Sequence, residues 1–128
     1  MHLVHIVALL AVLQYLLFGF MVGRARGRYG VKAPATSGNE HFEREFRVQM
    51  NTLEQLVGFM PALLIAAVYW PDLVVAAIGA VYLLGRFMYR RSYLKDPAGR
   101  GAGFLLTILP TAVLIVAGLA GALTGGRG

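Results

Sequence analysis

Four apolar stretches of membrane-spanning length limit what this chain can fold into. They run from about Leu3 to Val22, Leu53 to Trp70, Leu73 to Met88 and Phe104 to Leu123. A helix of roughly 20 residues rises about 30 Å, which matches the hydrocarbon core of a bilayer. The second stretch carries a polar, helix-compatible extension back to Glu40, and the third continues to Tyr93. The reading is an all-α membrane protein, a four-transmembrane-helix bundle in one domain over 1–128, with helices at about 3–23, 40–70, 72–93 and 102–123. The N-terminal stretch lacks a basic leader and a small-x-small cleavage site, so it is read as a retained helix rather than a signal peptide.

Composition supports lipid as the solvent. Of the 128 residues, 58% are hydrophobic and 14% charged, against about 45–50% and 25% in soluble domains. A net charge of +6 raises the question of nucleic acid. The basic residues, however, sit in short segments between apolar runs, so no nucleic-acid partner is expected. Arg24, Arg26, Arg28, Lys32, Arg44 and Arg47 flank the first connection, and Arg86, Arg90, Arg91, Lys95 and Arg100 flank the third. Only Arg127 of the twelve basic residues falls on the other side. The positive-inside rule then places the first and third loops in the cytoplasm and both termini opposite. Arg24, Arg28, Arg91 and Lys95 read as anchors to lipid headgroups.

Glycine and proline punctuate the connections. Gly23 to Asn39 is rich in Gly and Arg, with Pro34, Thr36 and Ser37, and reads as a loop. Trp70-Pro71-Asp72 is a short turn that starts the third helix. Asp96-Pro97-Ala98-Gly99 separates the third helix from the fourth.

With no cysteine in the chain, disulfides and thiolate metal sites are excluded. Any thiol chemistry must use a thiol carried by the substrate. His2, His5 and His41 are not spaced as metal ligands, so no metal is expected.

Two polar stripes carry the chemistry. Arg47, Asn51 and Glu54 lie at i, i+4 and i+7 on one helical face. Glu54 stands inside the apolar run, where a charge is costly unless it faces the bundle interior, a cavity or a partner charge. On the third helix Arg86, Tyr89 or Arg90, and Tyr93 share a face, with Arg100 just beyond a turn. The two stripes approach the same end of the bundle. Together they would line a pocket with guanidinium, carboxylate, carboxamide and phenol groups. Such a lining suits a small anionic or zwitterionic molecule bearing carboxylates. The alternative is helix glue, with a buried Glu54 paired to Arg86 or Arg47. Spacing leaves both readings open.

These residues also carry a resemblance. Phe42-Glu43-Arg44-x-x-Arg47-x-Gln49-x-Asn51-x-x-Glu54, and Val81-Tyr82-Leu83-Leu84-Gly85-Arg86-x-x-Tyr89-x-x-x-Tyr93 followed by Arg100, resemble the signatures of the MAPEG family (membrane-associated proteins in eicosanoid and glutathione metabolism). The resemblance has motif support over about residues 26–100 and rests on hydropathy for the outer helices. It implies a homotrimer that binds glutathione at each subunit interface. Arg47, Asn51, Glu54, Tyr89 and Tyr93 would bind it from one subunit, with Arg26 and Gln49 from the neighbour. Arg100 matches the arginine that holds the glutathione sulfur as thiolate. The implied activity is transfer of glutathione to a lipophilic electrophile, with a peroxidase side activity toward lipid hydroperoxides. Two positions depart from the leukotriene-forming branch. Gln55 stands where that branch has a Tyr, and Gly27 where it has an Arg, so a broader range of electrophiles is implied. The family also contains a non-catalytic lipid-binding scaffold, for which a thiolate-holding Arg100 would have no use. Small multidrug exporters share this length but resemble one another in an acid within the first helix, and Leu3 to Val22 has none.

Overall fold

A computed structural model describes residues 1–125; Arg127, used in the charge argument above, lies outside the described residues. Helix α1 spans His2–Tyr29, α2 Glu40–Tyr69, α3 Asp72–Lys95 and α4 Gly101–Leu123, with a short 3-10 turn at Pro97–Arg100. All four helices are long and apolar enough to cross a membrane, and the chain is a multi-pass integral membrane protein.

The described helices differ from the sequence reading chiefly in α1, which runs through Gly23 to Tyr29 instead of ending near residue 23. Val22 and Ala25 are buried there against Phe42 of α2, and the Arg26 guanidinium lies 4.8 Å from the centre of the Phe42 ring. This packing outweighs the two glycines, each costing about 1 kcal/mol in a helix. The helix stops instead at Gly30, whose φ of 70° is the left-handed cap conformation that favours glycine. Asn39 then caps α2 by accepting from the Phe42 N–H at 3.0 Å.

Cross-element caps tie the two ends of the bundle. At one end, Asp72 of α3 accepts from the Leu3 and Val4 N–H groups at 3.0 and 3.1 Å, satisfying orphan donors of α1. At the other, Arg44 of α2 donates to the Leu94 carbonyl at 3.1 Å, near the end of α3, and also pairs with Glu40. The α1–α2 and α3–α4 connections therefore share one end of the bundle.

Small residues set the helix spacing. A Cβ on Gly85 would overlap the backbone of Leu106, and one on Gly103 would overlap the backbone of Tyr89. The reciprocal pair brings α3 and α4 into backbone contact, as small residues do between membrane helices. The apolar core lies toward the other end, where Phe59 and Tyr82 stack with ring centres 3.8 Å apart.

Candidate functional site

Arg86 organises the polar end of the bundle. It is fully buried on α3, one residue beyond Gly85, where α3 and α4 come into close contact. Its Nη2 donates to Asn51 Oδ1 and to Thr52 Oγ1, both at 2.9 Å, and its Nη1 donates to Thr107 Oγ1 at 3.3 Å. The guanidinium lies 4.3 Å from the centre of the Tyr89 ring, in cation–π range. No carboxylate among the described residues pairs with it. Its Nε is buried without a hydrogen-bond partner. The cation is therefore held by neutral oxygens from two other helices and by an aromatic face.

Helical phase explains which residues Arg86 can reach. The buried stripe of α2 is Val48, Thr52, Leu56, Phe59 and Leu63. Asn51 sits beside that stripe, about 100° around the helix from Thr52, so its carboxamide still meets Arg86. Arg47 and Glu54 lie on the outward side, and both are exposed. The structure thus corrects one expectation. Glu54 is exposed and pairs with neither Arg86 nor Arg47; it shares a face of α2 with Gly58 and Ile65, at the outer edge of the contact with α4.

The phenols and the remaining arginines lie at the same end of the bundle. Tyr89 and Tyr93 are stacked with ring centres 5.5 Å apart, and Phe104 of α4 packs into the same cluster with Phe18 and Val48. Arg100 is exposed at the head of α4 and donates to the Pro97 carbonyl at 2.9 Å, beside an open cleft lined by Ala98, Gly101 and Phe104. Asn51, Tyr89 and Tyr93 are therefore brought together around Arg86, and Arg47 and Arg100 are exposed at the same end of the bundle.

Two expected residues lie on the α1 side. The Gln49 carboxamide packs against Gly19 of α1, where a Cβ would stand 2.7 Å from Nε2. Arg26 donates to the Ala35 carbonyl at 2.7 Å. Neither approaches the Tyr89 cluster of its own chain.

The sequence reading placed Arg86 on the polar stripe but missed its central position and its partners Thr52 and Thr107. Thr107 and Thr111 were visible as polar residues inside the fourth apolar run. That was the available signal, because a buried threonine bonds back to its own helix, as Thr107 does to Gly103, and keeps an oxygen for a donor.

For this four-helix bundle and its buried polar knot, the sequence comparisons supply the family. The MAPEG family model matches residues 4–120, and the chain belongs to the MAPEG family. It is 46% identical over 114 residues to an uncharacterized protein of Synechocystis, covering 89% of this chain and 83% of the relative. It is 35% identical over 115 residues to human microsomal glutathione S-transferase 2, covering 90% and 78%. Leukotriene C4 synthase of Cavia porcellus is 38% identical over 90 residues, covering 70% of this chain and 60% of the relative.

Proposed function

We propose that this protein is a membrane-bound glutathione S-transferase that acts as a homotrimer. The supporting observation is the Arg86-anchored Asn51 beside Tyr89 and Tyr93, with Arg47 and Arg100 exposed at the same end of the bundle. That set provides cations for the carboxylates of a small peptide and a carboxamide held at a fixed angle. Its open outer side, together with an unpaired Glu54 on the same side of α2, calls for a second subunit to complete the site. Arg26 and Gln49 lie on the α1 side of α2, where they would serve a neighbour's site. Glu54 would then hold the ammonium of the ligand.

Arg100 would supply the activation. A free thiol with a pKa of about 8.5 is a minor thiolate at neutral pH, and an adjacent cation favours the charged form. The thiolate forms a bond to an electrophilic carbon of a lipophilic substrate, and the displaced electron pair takes up a proton. Attack of the same thiolate on the O–O bond of a lipid hydroperoxide would give peroxidase activity, with a second glutathione completing the reduction. The loops bearing the basic residues would face the cytoplasm, and both termini the opposite side.

A thiolate difference absorbance on adding glutathione to detergent-purified protein is the expected result, and the band should vanish in Arg100→Ala while the oligomer persists. Glutathione binding without a thiolate band in the native protein would overturn the transferase reading in favour of a lipid-binding scaffold.

A further inference from the structure

The outer surface between α1 and α3 carries two depressions, neither of which belongs to the Tyr89 site. The first, of about 170 Å³, lies at hydrocarbon depth and is apolar; Leu13, Leu17 and Phe87 form its walls and the buried Gln14 its floor. Gln14 Nε2 donates to the Leu83 carbonyl at 2.9 Å, which ties the floor to α3. The second, of about 240 Å³, lies at the loop end and is polar, with Arg24, Arg28, Glu45 and Arg90 around it.

The two depressions are aligned on the same pair of helices. Along α1, Leu13, Leu17, Met21, Arg24 and Arg28 follow one another at three- and four-residue steps and share one face. On α3, Leu83, Phe87 and Arg90 do the same. Phe18 joins the two halves, meeting Phe87 edge-on with ring centres 5.8 Å apart and lying 5.9 Å beneath the Arg90 guanidinium. From Leu17 to Arg28 the helix rises about 16 Å, close to half of the ~30 Å hydrocarbon core. The groove opens on a different side from the Arg86 knot, which reaches α4 through Thr107, whereas Phe87 reaches α1; Phe18 is the wall they share, since it also packs with Tyr89.

Charge at the polar end is unbalanced. Glu45 accepts from Arg90 at 3.2 and 2.9 Å, a fork that neutralises both. No acid among the described residues pairs with Arg24 or Arg28, and Arg28 is steadied by the Tyr29 ring 5.6 Å away. Two cations thus stand at the loop end of a face whose deeper depression is apolar. We propose that this groove binds a single anionic phospholipid, with its phosphate at Arg24 and Arg28 and an acyl chain lying along Leu17 and Leu13 against Phe87. A free anion would use only the upper half, and a zwitterionic lipid would bring a cation of its own to the arginines.

The test is lipid retention, measured by native mass spectrometry after purification from vesicles of equal phosphatidylglycerol and phosphatidylcholine. Phosphatidylglycerol should be retained in preference, and Arg24→Gln/Arg28→Gln should reduce its retention by about tenfold, as the loss of two interfacial charges implies. Leu17→Trp, which fills the apolar half and leaves every charge in place, should also displace the lipid. Glutathione binding should be unchanged in both variants, so failure here is separable from failure of the transferase reading. Equal retention of the two lipids, or full displacement by inorganic phosphate, would overturn the proposal. So would a change of oligomeric state in Leu17→Trp, which would make the groove a contact between copies of the chain.

Discussion

Arg86 is the residue on which the polar end of the molecule depends, and its environment fixes what substitution should do. Its three hydrogen bonds go to neutral groups, so removal leaves no stranded charge, but it empties a volume closed by α2 and α4. Hydrogen bonds between membrane helices are worth about 0.6–2 kcal/mol each. Arg86→Ala should therefore lower stability by roughly 2–4 kcal/mol with the cavity included, as read by thermal denaturation in detergent. Arg86→Lys keeps the charge but not the planar fork that spans Asn51, Thr52 and Thr107 at once. It should preserve much of the stability yet weaken glutathione binding several-fold, because Asn51 loses its fixed orientation. Equal loss of both properties in the Lys variant would show that Arg86 is only structural. At Glu54 the expectation is different. An exposed carboxylate that contacts nothing in its own chain should cost little stability when changed to Ala, whereas glutathione binding, measured by calorimetry, should weaken. Unchanged binding would remove Glu54 from the site.

Among the elements, the crossing of α3 and α4 is the least forgiving. Gly85 and Gly103 each face backbone of the opposite helix, which cannot move aside as a flexible side chain can. Gly103→Val should separate the helices and draw Thr107 away from Arg86, destabilising the bundle by about 1–3 kcal/mol or more. Gly27, which has open space around it, should accept Ala with a small gain, since a helix interior favours Ala by about 1 kcal/mol. Melting temperatures of the two variants should move in opposite directions. The same comparison tests the extension of α1, because a loop at Gly27 would show no such gain.

At the scale of the whole molecule, the glutathione site we propose needs more than one chain. Arg47 and Glu54 occupy the outward side of α2, where an isolated subunit in lipid would pay heavily for an unpaired carboxylate. A neighbouring subunit on that side would resolve the cost, which is the physical reason for the homotrimer we propose. The natural absence of cysteine makes a clean test available. Val57 lies on the same side of α2 and is 71% exposed, so Val57→Cys should form cross-linked subunits in native membranes under mild oxidation. Cysteine introduced at Leu9, on the outward face of α1 and 70% exposed, serves as the comparison. Cross-linking at Leu9→Cys alone would place the interface elsewhere.

The four helices and the turns between them were legible in the sequence because lipid imposes a length and an apolarity that few other arrangements satisfy. Charge at the helix ends showed which two connections share a side. Periodicity located Arg47, Asn51, Glu54, Tyr89 and Tyr93 on stripes, since a face is a property of one helix alone. The end of α1 was misplaced, because Gly23 and Gly27 read as breakers until Phe42, some twenty residues on, is known to pack beside Ala25. Depth along the apolar run left Glu54 facing the interior, a cavity or a partner charge, because depth along a helix says nothing about rotation around it. The choice of Asn51 and Thr52 over Glu54 as partners of Arg86 was likewise decided by tertiary structure. It follows from the phase of α2 against α3 and from the glycine contacts that set the approach of α4. The sequence by itself determined spans, topology and the residue types at the polar end; only packing decided which of those residues face one another, because interhelical distance and rotation depend on contacts between segments far apart in the chain.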